Sequence, residues 1–336
     1  MSKKLKIGIL GCGDFLRWQS EDILKSEKIE VAALFDPRKE EAEKYAAKLG
    51  GKAVDSDEEI FNNPDIDIVC LFVPPWIRKE LVEKAAAAGK HIITTKPLGA
   101  TVEDCEAMLE ATKGKVKAGV FYGRTGDTGV EMCKKIFDGG EIGKLALYKR
   151  DWLHHYPEWN KWAIDPEKNG GPFMDAMIHN MNAAMYLMGR KAVAATYFSD
   201  NHAHSELKCG DTEFMKLDFE NNGSAHIFIT WAADLAVYSK EGNDREHIDI
   251  YYMVTDKGWR VTQEWKDEGL TIIASKDGKE KTWLAEDLPA TPYDSFVETV
   301  ETDGELPGNI PSIEMAYNDI KLIRLAEKNQ GNRLTL

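Results

Sequence analysis

Cysteine is scarce in this chain: Cys12, Cys70, Cys105, Cys133 and Cys209 are the only five among 336 residues. Their number is odd and no two stand at C-x-x-C spacing, so neither a disulfide framework nor a zinc cage is expected, and a reducing compartment is. Long apolar runs are absent. No stretch approaches the roughly 20 residues that span a bilayer. The short run at 7–10, behind the basic residues 1–6, leads straight into a glycine turn and is no signal-peptide core. A cytoplasmic protein without a membrane partner is expected. Positive charge is also in deficit. With 57 acidic against 43 basic residues the formal net charge is -14, a surface that repels nucleic-acid backbones and favours solubility. No metal site is expected, because His154-His155 lacks a spaced set of carboxylates or cysteines. Repeats, low-complexity tracts and an obvious linker are missing too.

What is present suits two domains. Apolar runs at 6–10, 30–35, 66–73, 91–94 and 116–122 read as strands. Helical patterns at 15–26, 40–49, 78–88 and 102–112 separate them. Near-continuous apolar strands alternating with amphipathic helices predict a parallel, doubly wound sheet covered on both faces. Beyond about residue 123 the pattern changes. Helices are expected at 129–138, 174–188, 293–302 and 313–328. Strand-like segments at 195–198, 214–219, 225–231, 248–254, 259–263 and 270–274 are separated by turn signals such as Asn221-Asn222-Gly223 and Asp277-Gly278. The expected fold is an α/β Rossmann domain over residues 1–123, then an α+β domain over 124–336 with a large, mostly antiparallel sheet.

The first strand runs into Gly11-Cys12-Gly13-Asp14-Phe15-Leu16. This context suits a dinucleotide turn: Gly11 permits the tight bend, Gly13 lets the backbone approach a pyrophosphate, and the helix N-terminus offers unpaired N–H groups. The third glycine of the fingerprint is replaced by Leu16. Asp36 ends the second strand, 23 residues after Gly13, where a carboxylate accepts hydrogen bonds from the adenosine ribose. It favours NAD, while Arg38 nearby leaves NADP open.

Lys96 stands just past a Rossmann strand, on the edge where open α/β sheets bind ligands, and suits either a substrate-oxygen contact or a solvated surface lysine. Asp175 and His179 are four residues apart on an apolar helix and share a face, either as a tuned acid–base pair or as a structural hydrogen-bonded pair. Residues 152–162 gather Trp152, His155, Tyr156, Trp159 and Trp162, rings that suit a sugar face or, equally, a core or subunit contact. Tyr293 is a further substrate-contact candidate.

Taken together, these elements resemble the Gfo/Idh/MocA family of oxidoreductases over nearly the whole chain. The likeness rests on the glycine turn, the strand before Pro74-Pro75, AGKHIITTKPLGATVEDCEAML at 88–109, FDGGEIGKL at 137–145, NGGPFMDAMIHNMNAAMYLMG at 169–189 and YDSFVETV at 293–300. It implies catalysis by Lys96, Asp175 and His179. The expected cofactor contacts are Gly11, Gly13, Asp14, Phe15, Leu16, Asp36, Arg38, Pro74 and Lys96, and the expected substrate contacts are Lys96, His155, Trp159, Trp162, Asp175 and His179. The implied reaction exchanges a hydride between NAD(P) and a ring hydroxyl or ketone of a sugar, sugar derivative or cyclitol, in a homo-oligomer. Two alternatives stand beside it: an NAD-retaining enzyme that cleaves glycosides through transient oxidation at C3, and a non-catalytic nucleotide sensor. The departures from the family pattern are Leu16, Arg78 where a histidine is frequent, Thr95 in place of a glutamate, and Asn182 in place of an aspartate.

Overall fold

The computed structural model describes residues 3–153, 164–168, 170–189, 191–232 and 248–336. They group into two compact units, Met1–Gly126 with Leu288–Ile320, and Asp127–Asp287 with Lys321–Leu336.

The first unit is built on six strands: β1 (Leu5–Leu10), β2 (Ile29–Phe35), β3 (Lys52–Ala53), β4 (Ile68–Leu71), β5 (His91–Thr95) and β6 (Ala118–Phe121). All pair in parallel, in the order β3-β2-β1-β4-β5-β6. Helices α1 (Asp14–Lys25), α2 (Lys39–Leu49), α3 (Glu58–Phe61), α4 (Pro75–Ala87) and α5 (Val102–Thr112) connect them. β4 (IVCL) is buried at every position, as a strand covered on both faces must be. The order reverses beside β1, so the carboxyl ends of β1 and β4 flank a topological switch point.

The second unit carries nine strands: β7 (Leu145–Leu153), β8 (Ala192–Asp200), β9 (Thr212–Phe219), β10 (Ser224–Thr230), β11 (Ile248–Thr255), β12 (Arg260–Lys266), β13 (Gly269–Lys276), β14 (Lys279–Leu284) and β15 (Arg333–Thr335). Their order is β14-β13-β12-β11-β7-β10-β9-β8-β15, and β7 with β10 is the parallel pair in an otherwise antiparallel sheet. Helices α6 (Thr128–Gly139) and α7 (Ile178–Met188) belong to this unit. Along β9 burial alternates with period two: Glu213, Met215, Leu217 and Phe219 point inward.

The chain then returns to the first unit with α8 (Pro292–Thr302), and α9 (Ile313–Lys328) follows. Two consecutive domains cut after residue 123 were expected; the first unit instead takes in Leu288–Ile320. The reason is hydrophobic: Tyr293, Phe296, Val297 and Ile310 are buried in the same core as Ile7, Ile9, Cys70 and Phe121. Polar bonds reinforce this. Asp294 completes a capping box with Thr291 at the start of α8. It also accepts from the Ser26 hydroxyl at 2.5 Å and the Lys28 N–H at 3.0 Å, between α1 and β2. Tyr293, expected as a substrate contact, is fully buried, edge-on to Phe121 and donating to Gln19 at 3.0 Å. It is a core residue.

Replacing Asp294 with alanine removes a cap and leaves buried donors unpaired. The expected cost is on the order of 2–4 kcal/mol in chemical denaturation, with the Asp294→Asn variant losing less. A loss below about 0.5 kcal/mol would mean that these bonds do not hold α8 to the sheet.

Candidate active site

Within the first unit the glycine turn forms at the end of β1. Gly11 has φ +94, and a Cβ there would lie 2.4 Å from the Phe72 carbonyl oxygen at the end of β4, so only glycine fits. Gly13 is the N-cap of α1, with no side-chain cap, and a Cβ on it would meet no heavy atom within 4 Å. The first N–H groups of α1 therefore face open space with the positive end of the helix dipole, which suits an anionic group.

Asp36 ties this turn to the end of β2. One carboxylate oxygen accepts the Cys12 N–H at 2.8 Å; the other accepts the Arg38 N–H at 2.9 Å and Arg38 Nε at 3.2 Å. Burial pushes its pKa upward, but these donors outweigh it and hold the carboxyl below its ordinary value. Asp36 is therefore a fixed anion. The same environment, burial first and the Asp36 charge second, pushes the Cys12 thiol up to about 12, so Cys12 is no nucleophile. Arg38 keeps a side chain 60% exposed.

The other expected cofactor residues fall on the same edge. Phe15 packs its ring 5.0 Å from Phe72. Asp14 is exposed and pairs with Arg17 at 3.3 Å. Leu16 is fully buried in the core, packed where a third glycine would let the helix sit closer to the sheet. Pro74 caps α4 just beyond β4. Lys96 follows β5, half-buried, with its N–H donating to the Phe121 carbonyl at 3.3 Å and a cis peptide bond to Pro97. Because β2, β1, β4 and β5 are neighbours, the structure brings Asp36, Gly11, Pro74 and Lys96 along one carboxyl edge.

Within the second unit, Asp175 and His179 do not lie on one uniform α-helix. Phe173–Met177 forms a π-turn whose end is marked by the Ile178 N–H bonding to the Phe173 carbonyl, and α7 follows. Asp175, Ala176, His179 and Asn180 are half-buried, whereas Met174, Met177, Ile178 and Met181 are buried. The expected shared face is thus the face turned away from the core. Tyr148 on β7 donates to the Asn180 side-chain oxygen at 3.2 Å and fixes α7 beside His179.

The start of the π-turn is held by a group the sequence reading missed. Glu213, inward on β9, accepts the Phe173 N–H at 2.5 Å, and the Ser199 hydroxyl lies 3.4 Å from its other oxygen. Desolvation, against the Phe173 bond, pushes this carboxyl up to about 8. The signal was available: an acid at an inward position of the alternating segment TEFMKLDF. Trp152 lies near the end of β7, half-buried. His155, Tyr156, Trp159 and Trp162 lie outside the described residues. Lys96 belongs to the first unit; Asp175 and His179 belong to the second.

With the geometry in view, comparison with known proteins adds the lineage. Residues 5–123 match the model described as an oxidoreductase family with an NAD-binding Rossmann fold, and residues 130–251 match the GFO/IDH/MocA C-terminal domain. The scyllo-inositol 2-dehydrogenase (NAD(+)) of Bacillus subtilis is 30% identical over 202 residues, 58% of this chain and 57% of that protein. The levoglucosan dehydrogenase of Pseudarthrobacter phenanthrenivorans is 29% identical over 311 residues, 84% of this chain and 75% of the relative. Of the curated relatives it matches, seven are spanned by this chain over only 56% to 68% of their length. An aldose-aldose oxidoreductase from Caulobacter crescentus superposes with a TM-score of 0.83 at 22% identity, covering 99% of this chain and 100% of that one, a likeness of fold.

Two glycine variants separate fold from cradle. Gly11→Ala is expected to destabilise the protein by about 1–3 kcal/mol. Gly13→Ala, at the N-cap, is expected to cost less stability than Gly11→Ala, about 1 kcal/mol or less, but to weaken NAD binding about tenfold or more, read by calorimetric titration. Unaltered NAD affinity in Gly13→Ala would remove the turn from the site. For Glu213 the sign follows from its raised folded value. The acid form is favoured in the native state, so its stabilising contribution is complete below its ordinary value of 4.5 and is lost as pH rises through about 8. The unfolding free energy is expected to fall by up to about 1.4 kcal/mol per pH unit across that window from this group, and Glu213→Gln should flatten the slope. Identical pH–stability curves for the two proteins would show that Glu213 ionises there as it does in water.

Proposed function

The chain belongs to the Gfo/Idh/MocA family of oxidoreductases, and on that premise we propose that it is an NAD-dependent enzyme interconverting a ring hydroxyl and the corresponding ketone of a sugar, sugar derivative or cyclitol. The observation that carries the reading is the anchored Asp36 carboxylate beside the uncapped N-terminus of α1. One feature suits the ribose hydroxyls and the other the pyrophosphate. The residues present therefore fit the cofactor. Asp36 disfavours a 2'-phosphate, and Arg38 is already engaged by Asp36, so NAD is preferred to NADP. When bound, the nicotinamide supplies the hydride acceptor or donor.

The chain's own groups do the remainder. His179 takes the hydroxyl proton as the carbon–hydrogen bond breaks. Lys96 donates a hydrogen bond to a substrate oxygen and stabilises developing negative charge there. Asp175, on the same face of the turn, orients His179 or accepts from a neighbouring substrate hydroxyl. The dehydrogenases among the relatives, acting on an inositol and on levoglucosan, support a polyhydroxylated ring as substrate. A cytoplasmic homo-oligomer belongs to the same reading. Exposed apolar side chains on the strands of the second unit, Phe198 at 44% and Trp265 at 81%, support association.

A thermal-shift titration with NAD, NADH, NADP and NADPH, followed by a screen of cyclitols and sugars for NADH formation, tests the proposal. NAD forms are expected to stabilise the protein, by about 2.7 kcal/mol at 100 times the dissociation constant. Lys96→Ala and His179→Ala are each expected to lower turnover by roughly 10²-fold or more. Full activity in both variants would sink the assigned roles. Tightly retained cofactor with product but no net NADH would replace simple dehydrogenation by transient oxidation.

A further inference from the structure

A cation is buried beneath the turn that carries Lys96. Arg78 sits in the first turns of α4 with 1% of its surface exposed. Its Nη1 donates to the carbonyls of Thr95 at 2.7 Å, Pro97, and Leu98 at 3.1 Å; its Nη2 donates to the carbonyl of Val73. All four acceptors are main-chain oxygens and none is a carboxylate. Three of them bracket Lys96, one immediately before it and two after. The fourth lies just past the end of β4. Burial pushes the guanidinium down to about 9, so holding it there is costly.

Helix stability does not explain the position, since a cation near a helix N-terminus lies at the unfavourable end of the dipole. Core filling does not explain it either, because an apolar side chain of similar volume avoids the desolvation cost. The arrangement matches a different need. Past the carboxyl ends of β4 and β5 the main chain leaves the ladder, and its carbonyls need donors. A planar guanidinium serves several at once in a fixed geometry. Thr95 adds a second tie, its hydroxyl donating to the Phe121 carbonyl at 3.1 Å.

We propose that Arg78 is a positioning residue for Lys96: by bonding the carbonyls on both sides of it and the end of β4, it fixes where the Lys96 ammonium stands on the carboxyl edge of the sheet. The proposal rests on the reading of Lys96 as a group that contacts substrate. Arg78 itself acts through the main chain. Loss of its charge lets the turn relax, and small misplacement of a contact group costs turnover far more than cofactor affinity.

The test uses the full-length protein with Arg78→Gln, Arg78→Met and Arg78→Lys. The first readout is independent of activity: the acetylation rate of Lys96 by acetic anhydride, by peptide mass spectrometry, with the other lysines as internal standards. Arg78→Gln is expected to change the Lys96 rate about threefold or more and leave the other lysines alone, while Arg78→Lys, which keeps the charge but not the fork, falls between Arg78→Gln and the wild type. The second readout is kinetic. Arg78→Gln is expected to lower kcat about 10- to 100-fold with the Kd for NADH within about threefold, and Arg78→Lys to recover part of it. If general lysine exposure shows Arg78→Gln to be unfolded, Arg78→Met, similar in volume and uncharged, carries the same expectation. Wild-type Lys96 labelling together with wild-type kcat in a folded charge-free variant overturns the proposal. So does a parallel loss of kcat and NADH affinity that lysine does not rescue. Full turnover in Lys96→Ala would instead overturn the assigned role of Lys96, while the labelling result would still decide whether Arg78 holds the turn.

Discussion

The hydrogen bond from the Cys12 N–H to Asp36 is the contact on which the candidate cofactor edge depends. It joins the turn after β1 to the end of β2, and so fixes the start of α1 relative to the Asp36 carboxylate. Gly11 makes it possible: its backbone bends where the Phe72 carbonyl leaves no room for a side chain. The carboxylate is ionised because the upward push of burial is outweighed by the three donors from Cys12 and Arg38. An anion held in this way accepts hydroxyl protons and repels phosphate, and cofactor choice thus becomes a consequence of strand-end geometry.

The same logic recurs with buried charge elsewhere. Asp36 and Glu213 are acids, and each meets main-chain N–H: the glycine turn for one, the start of the π-turn for the other. Arg78 is a base, and it meets main-chain carbonyls. A buried charge is expensive unless hydrogen-bonded, so these placements are informative. Each bonds main chain where a regular element starts or ends. The three groups differ in how well they are compensated. Asp36 keeps its charge, whereas at Glu213 desolvation dominates and favours the acid form. In either form Glu213 accepts the Phe173 N–H, with the Ser199 hydroxyl beside its other oxygen.

Much of this architecture was legible in the sequence because the first unit obeys simple periodicity. Apolar runs bounded by glycine or proline became β1, β2, β4, β5 and β6, and α5 was placed at its observed bounds. What escaped was short or highly charged. β3 has two residues; β7 (LALYKRDWL) carries three charges in succession; β14 (KEKTWL) is an edge strand rich in lysine. The return of α8 to the first unit was invisible to local patterning, because Phe296 and Val297 name no partner until the strands they cover are assembled. The catalytic candidates were legible as residue types in context. Their supports were not: Glu213 reads as one more surface acid unless the inward phase of β9 is followed, and Arg78 as one more helical base.

Departures from a family pattern gain meaning only when their surroundings are known. Leu16 takes the place of the fingerprint's third glycine, yet its side chain lies wholly in the core, and the start of α1 carries no side-chain cap. Thr95 and Arg78 look like two independent departures in the sequence, and in the structure they touch: Arg78 bonds the Thr95 carbonyl, and the Thr95 hydroxyl bonds β6. The Thr95 side chain is thus spent on the neighbouring strand, and it is the Thr95 main-chain oxygen that meets the guanidinium. One buried cation, 18 positions before Lys96 in the sequence, thereby serves carbonyls on both sides of that lysine through hydrogen bonds to the backbone alone.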